Sequence, residues 1–205
     1  MTSTRMLITA AAALSVAATA SAPAAQAAPG KCKARQSATL ASSQQVRVFA
    51  KNDVAKVCYK RTGGRFSLDD AQPTEDVFTA AGRFVAYSSS DYEDAMTPMH
   101  SIVNVIQVPS RRIPQFLPQR TNAHVDAIVV KRNGAAAWAT TSSDGITTAV
   151  QGTDRLGHAP DDLSDDTRVV ATTSLTSGPG GEVDWDYTDG TSDSAMLFTE
   201  PAPVF

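Results

Sequence analysis

The sequence predicts an all-β protein of antiparallel sheets, arranged like a propeller with about four degenerate blades. Three observations lead there. Short runs of β-branched residues, several alternating with polar ones, are separated by Gly, Asn and Pro turns. One unit, a β-branched run, a Gly or Asn-Gly bend and a strand ending in an aromatic, recurs along the chain. No stretch beyond the N-terminal leader makes a convincing amphipathic helix. The clearest copy is Ile128 to Thr140 (IVVKRNGAAAWAT), with degraded copies at Val77 to Tyr87 and Val169 to Trp185. Taking the aromatic as the mark, Phe49, Tyr87, Trp138 and Trp185 follow at steps of 38, 51 and 47 residues. Such spacings suit blades of three or four strands. A sheet this small cannot bury its faces alone, so these aromatics are expected between stacked sheets. A two-sheet β-sandwich is the alternative architecture.

Residues 1–27 read as a signal peptide: Arg5, an apolar Ala-rich core from Met6 to about Ala20, and a small-x-small site at Ala25-Gln26-Ala27. The core is too short for a firm membrane helix, so no stable membrane insertion is expected after cleavage. A single β-rich domain over 28–198 follows, then a proline-containing flexible tail over 199–205. Gln45 to Lys51 alternates at period two, Asn52-Asp53 turns the chain, and Ala55 to Arg61 returns it. Gly63-Gly64 leads into Arg65 to Leu68, and the acidic Asp69 to Asp76, with Pro73, is a loop. Ser101 to Val108 is near-continuously apolar, the pattern of a strand buried on both faces. Arg111 to Leu117 is a short edge, Ile146 to Gln151 a strand, Asp154 to Asp166 a loop, and Ser194 to Phe198 the last strand.

The formal net charge is −3, but it is distributed unevenly. Residues 28–143 hold 15 Lys/Arg against 9 Asp/Glu, a balance of +6, while residues 144–205 hold 2 against 12, a balance of −10. Solvated faces of opposite sign account for this, as does self-association between copies or a divalent cation on the acidic half. The basic residues form scattered pairs without interleaved aromatics, so nucleic acid is not an expected partner. Cys32 and Cys58, an even pair in an exported chain, read as one disulfide. Closing that loop removes unfolded-state entropy equivalent to about 3.5 kcal/mol.

At Gly82-Arg83-Phe84-Val85-Ala86-Tyr87 with Ile102-Val103-Asn104-Val105, and at Asn133 to Trp138 with Ile146, the chain resembles secreted bacterial propellers of WD40-like, TolB-type repeats. It is also similar to short exported proteins of actinobacterial type, with Ala-rich leaders and a Cys pair. The resemblance covers residues 37–198 and implies a protein-binding platform without catalytic residues to carry over. Only about four units fit, fewer than such propellers usually hold.

No G-x-S-x-G nucleophile motif is present, and His100, His124 and His158 lie 24 and 34 residues apart, too far for a local zinc pair. Asp161, Asp162, Asp165 and Asp166 share one loop, and Asp184, Asp186, Asp189 and Asp193 flank a turn with Gly190. Clustered carboxylates in a turn offer oxygens to calcium, although D-W-D-Y-T-D-G places its glycine one position late for a calcium loop and lacks the distal Glu. Gly63-Gly64 and Gly178-Pro179-Gly180-Gly181 serve turns, since neither is followed by G-K-[ST]. The expectation is an exported, non-catalytic binding or scaffold protein of unknown ligand. Alternatives are a secreted hydrolase with loop-borne catalytic residues, and a structural module that completes its sheet array by self-association.

Overall fold

The computed structural model describes residues 31–33, 36–91, 100–111, 115–116, 123–153, 160–178 and 181–197. The expected leader, the C-terminal tail and His158 lie outside them. Four separate antiparallel sheets follow one another along the chain. The first holds β1 (Ala38–Ser42), β2 (Val46–Lys51), β3 (Val54–Tyr59) and β4 (Arg65–Leu68). The second holds β5 (Phe78–Ala81), β6 (Phe84–Asp91), β7 (His100–Gln107) and β8 (Gln115–Phe116). The third holds β9 (Ala123–Val130), β10 (Ala136–Ser142), β11 (Thr148–Thr153) and β12 (Asp161–Asp162). A single 3-10 turn, Thr172–Ser174, precedes the three-stranded fourth sheet of β13 (Thr176–Ser177), β14 (Glu182–Asp186) and β15 (Ser192–Met196). Strands adjacent in sequence are adjacent in each sheet. Four sheets replace the two that a sandwich requires.

The pleat sends alternate side chains to opposite faces, and the hydrophobic clusters show which sheets meet. Val46, Val48, Ala55, Val57 and Leu68 of the first sheet pack against Val85, Tyr87, Ile106 and Val108. Phe84, Ala86, Val103 and Val105 leave the other face of the second sheet and meet Val125, Ile128, Val130, Ala136 and Trp138. Ala135, Ala137, Ala139 and Val150 then pack against Val183, Trp185, Tyr187 and Leu197. The two middle sheets are therefore covered on both faces. This explains the near-continuous apolar run of β7 and the residue after it, where Val103 and Val105 serve one interface and Ile106 and Val108 the other.

Phe49, Tyr87, Trp138 and Trp185 lie on β2, β6, β10 and β14, the second strand of each sheet, and all are at most 1% exposed. Tyr87, Trp138 and Trp185 each face the preceding sheet. Phe49 points the same way, where no preceding sheet exists, and is covered instead by the Cys32–Cys58 disulfide. The two Cα atoms are 5.7 Å apart across 26 residues of sequence. Arg47 lays its guanidinium 5.1 Å from the centre of the Phe49 ring and donates to the Cys32 carbonyl at 2.9 Å. The N-terminal segment thus substitutes for a sheet.

The turns follow from residue type. Asn52 and Asp53 both take positive φ (52° and 56°), as a two-residue hairpin loop demands, and these residue types tolerate it. Gly134 has φ 95°, and a Cβ there would stand 2.7 Å from Cε1 of Phe84 in the neighbouring sheet. Several boundaries differ from the sequence expectation. Ile146 lies in the β10–β11 turn, 71% exposed, and β11 begins at Thr148. Asp161–Asp162 pair as a short edge strand within the expected loop, and β15 ends at Met196. No helix among the described residues is long and apolar enough to cross a membrane. Because Gly134→Ala combines a left-handed backbone with a clash on a buried ring, it is expected to destabilise the fold by about 2–4 kcal/mol. Urea unfolding of the variant against the parent checks this.

Candidate functional site

The turns joining first and second strands form a row along one end of the array. The Ser43 hydroxyl of the first sheet donates to the Gly82 carbonyl of the second at 2.5 Å. A Cβ on Gly82 would lie 3.6 Å from Arg132 of the third, and one on Gly181 would lie 4.0 Å from Lys131 Nζ. The sheets are therefore aligned, and in an antiparallel meander the third-to-fourth turns return to that same end. The described residues of these turns carry six cations, Lys60, Arg61, Arg83, Arg111, Lys131 and Arg132, and no carboxylate. The described connections of the opposite end hold Asp53, Asp69, Asp70, Glu75, Asp76, Asp144, Asp165, Asp166 and Asp189, with Arg168 as the one described cation. A charge asymmetry that the sequence spreads along its length thus also runs from one end of the strands to the other.

The basic rim is held by its own scaffold. Lys60 donates to the Ser42 hydroxyl at 2.9 Å and to the Ser43 carbonyl. Arg111 and Arg83 stack 5.1 Å and 5.7 Å from the rings of Phe66 and Phe84, while Arg132 is exposed. Lys131 differs from the rest. It is 8% exposed, and its Nζ is buried without a hydrogen-bond partner. Burial holds its pKa below the ordinary lysine value, opposed by the charges of Glu182 and Asp184. The sequence offered no signal for it beyond the Lys-Arg pair that ends a β-branched run.

The four aspartates considered for calcium do not converge. Asp184 and Asp186 share one face of β14, Asp193 sits on β15 opposite Trp185, and Asp189 occupies the β14–β15 turn. Each of the last three has its own engagement: Asp186 accepts from Ser192, Asp193 from the Ser194 amide, and Asp189 from Thr191 and Arg168. Among the described residues no group of three or more His, Cys, Asp or Glu side chains could hold a metal ion. The other aspartate group is also divided. Asp162 accepts from Gln151 at 2.7 Å and Asp165 from Thr167 at 2.6 Å, while Asp161 and Asp166 are exposed.

His124, on β9, places Nδ1 3.1 Å from Asp126, and the other oxygen of that carboxylate accepts from Thr141 at 2.5 Å. A carboxylate that orients the δ nitrogen leaves the ε nitrogen available for proton transfer, and this His is exposed. His100 opens β7. A third polar group is buried between the first two sheets: Tyr87 donates to Asp70 at 2.9 Å, and Asn104 donates to Ser89 at 2.9 Å. Burial and the Asp70 hydrogen bond push the Tyr87 hydroxyl far above its usual pKa.

Two titrations follow. Hydrogen bonds from the Thr191 hydroxyl and amide, then Arg168, lower the Asp189 carboxyl to about 2. Its contribution to stability is complete above the unfolded value of 3.8 and is lost as pH falls towards about 2. Carbon NMR titration of the carboxyl checks this, with Thr191→Val expected to raise the midpoint. For Lys131 burial disfavours the charged form, yet the linkage has the same sign: the folded state binds its proton less tightly than the unfolded, so stability rises as pH climbs towards 10.5. Lys131→Met is expected to raise the melting temperature at neutral pH by a few degrees. It should also flatten that rise, as calorimetry across pH would show.

No family model and no curated protein matches the sequence. Among solved structures, the chain is similar to Porphyromonas gingivalis dipeptidyl peptidase 4, at a TM-score of 0.51 and 13% identity over 69% of this chain and 28% of that one. Pyrococcus horikoshii acylaminoacyl peptidase matches at a TM-score of 0.42 and 11% identity, over 69% and 26% of the two chains. The chain thus spans little more than a quarter of the proteins it matches. At such identity the first likeness is one of fold: several antiparallel sheets in an all-β array.

Proposed function

We propose that this chain is an exported, propeller-like array of four blades, of the secreted bacterial TolB-type and WD40-like kind, that works as a binding platform for an acidic ligand. The observation that carries this reading is the cationic rim, to which the first three sheets each contribute two cations. Loops held by a rigid scaffold are where binding residues concentrate, and clustered charge of one sign raises the local concentration of an opposite partner. Export is supported by the leader pattern together with the Cys32–Cys58 disulfide, a bond suited to oxidising compartments. Fluorescence anisotropy with a labelled oligoglutamate peptide tests the platform. Binding at low ionic strength should weaken at least about tenfold in Arg61→Glu/Arg132→Glu, two exposed rim positions, and fall with added salt. Equal binding by the variant and the parent would refute it.

Hydrolysis is the second reading, and here the comparisons speak for it more than for a passive platform. The solved structures that the chain resembles include peptidases, and His124 with Asp126 offers an oriented general base. Fluorogenic dipeptide amides provide the assay. Turnover that disappears in both His124→Ala and Asp126→Asn supports an enzyme, whereas turnover indifferent to both variants removes this dyad from consideration.

A further inference from the structure

Among the described residues, two sheet faces have no sheet against them, and they carry opposite charge. In the first sheet the face turned away from the core bears Arg47, Lys51, Lys56 and Arg65, as the pairings Arg47↔Cys58, Phe49↔Lys56, Lys51↔Val54 and Cys58↔Arg65 require. The segment laid across that face adds Lys31 and Lys33, whose carbonyls accept from Arg65 at 3.0 and 3.2 Å. No carboxylate stands at these positions. In the fourth sheet, Val183 and Trp185 face the core, so Glu182, Asp184 and Asp186 face outwards with Ser192, Ser194 and Met196 beside them. Among the described residues no strand position of that face is a cation, the buried Lys131 ammonium of the third sheet being the one positive charge that acts on Glu182 and Asp184. Met196, 57% exposed, is one of three large hydrophobic side chains exposed among the described residues.

We propose that the fourth-sheet face of one copy of this chain docks on the first-sheet face of another, continuing the stacking order across the chain boundary. The occupant is a second copy because each face lies where the next sheet in the series would stand, and each carries the charge the other lacks. Such a contact is heterologous: it uses different patches on the two partners, so either a ring closes or copies add in series. It is polar where the internal interfaces are apolar. Each copy therefore remains soluble alone, and association is weak, reversible and screened by salt. The faces flank the strands, whereas the cationic rim lies at their ends, so this contact stands or falls independently of ligand binding there.

Sedimentation equilibrium of the exported chain tests it, with two charge-reversed variants. Lys33→Glu/Lys51→Glu alters exposed positions on the first face, and Asp184→Lys/Asp186→Lys alters the fourth. The parent is expected to show a mass that rises with concentration at low ionic strength and returns to the monomer in high salt. Each variant alone should associate about tenfold or more weakly. Mixed together, the two variants should associate in alternation, since the unaltered fourth face of one meets the unaltered first face of the other. Melting curves establish that each variant is folded; if the fourth-face reversal does not fold, Asp184→Asn/Asp186→Asn replaces it, with weakened association expected. A parent that stays monomeric at low ionic strength overturns the proposal. So does association that survives in the folded variants or in high salt.

Discussion

Everything in this fold depends on one contact type: the side chain at the core of a sheet's second strand, packed on the sheet before it. A three- or four-stranded sheet has two faces, too little area to fold them on themselves, and no helix to cover either. Tyr87, Trp138 and Trp185 each put an aromatic into the interface, and an aromatic of this size buries about 150–250 Å². At about 25 cal/mol per Å² that is an upper bound of about 4–6 kcal/mol for each. No internal sheet could lose its neighbour and keep that term. The first sheet inherits the same geometry without a predecessor, and the Cys32–Cys58 segment covers Phe49 in its place. Covalent closure suits that position: a short irregular segment has little core of its own and is held by restricting the unfolded chain. The fourth sheet solves the opposite problem by turning Glu182, Asp184 and Asp186 outwards. Arrays of stacked units need polar outer faces at their termini.

The meander connection then decides where charge gathers. Because every sheet starts at the same end, odd-numbered turns fall together and even-numbered connections fall together. Among the described residues, cations occupy the first set, and carboxylates, with Arg168, the second. Tight turns beside neighbouring sheets, such as Gly82 against Arg132 and Gly134 against Phe84, fix the rim to the same interfaces that hold the core. A charged surface built this way needs no additional framework. Lys131 is held by the same packing, in a site where its ammonium has no hydrogen-bond partner and only the charges of Glu182 and Asp184 act on it.

Much of the architecture was legible in the chain. Alternation in Val46 to Lys51, the two-sided apolar run of β7 and the Asn133-Gly134 turn are local signals, and they survive into the structure because local and global preferences agree there. Recurrence of the aromatic revealed the equivalence of second strands, which no single window could. Less was visible where pairing is set by distant residues. β12 and β13 are two residues long and exposed, so neither has a period to read. Ile146 looked like a strand start because it is β-branched, yet Asp144 accepts from the amides of Ile146 and Thr147 and holds both in a turn. The candidate sites were less accessible still. Asp126 reaches His124 through a bulge in β9, and the cationic rim is assembled from turns tens of residues apart. Conversely, the aspartates around Gly190 are close in sequence, but a strand pleat sends Asp184 and Asp193 to different faces.

Stacked sheets of similar construction raise a question of order, because an aromatic that fits one interface fits another. Polar handles on the aromatics supply an answer. Tyr87 donates to Asp70, which comes from the connection between the first and second sheets, so that hydroxyl is satisfied in one interface alone. Trp138 donates through Nε1 to Gln151, and Gln151 donates onward to Asp162 on the edge of the same sheet. Exchanging the two rings would strand a buried donor in each place, costing about 1–3 kcal/mol apiece. Trp185 has no such partner for its Nε1. It belongs to the last sheet, where the order has already been decided by the sheets before it. The same side chains that supply the hydrophobic contact thereby also encode the sequence in which the sheets stack.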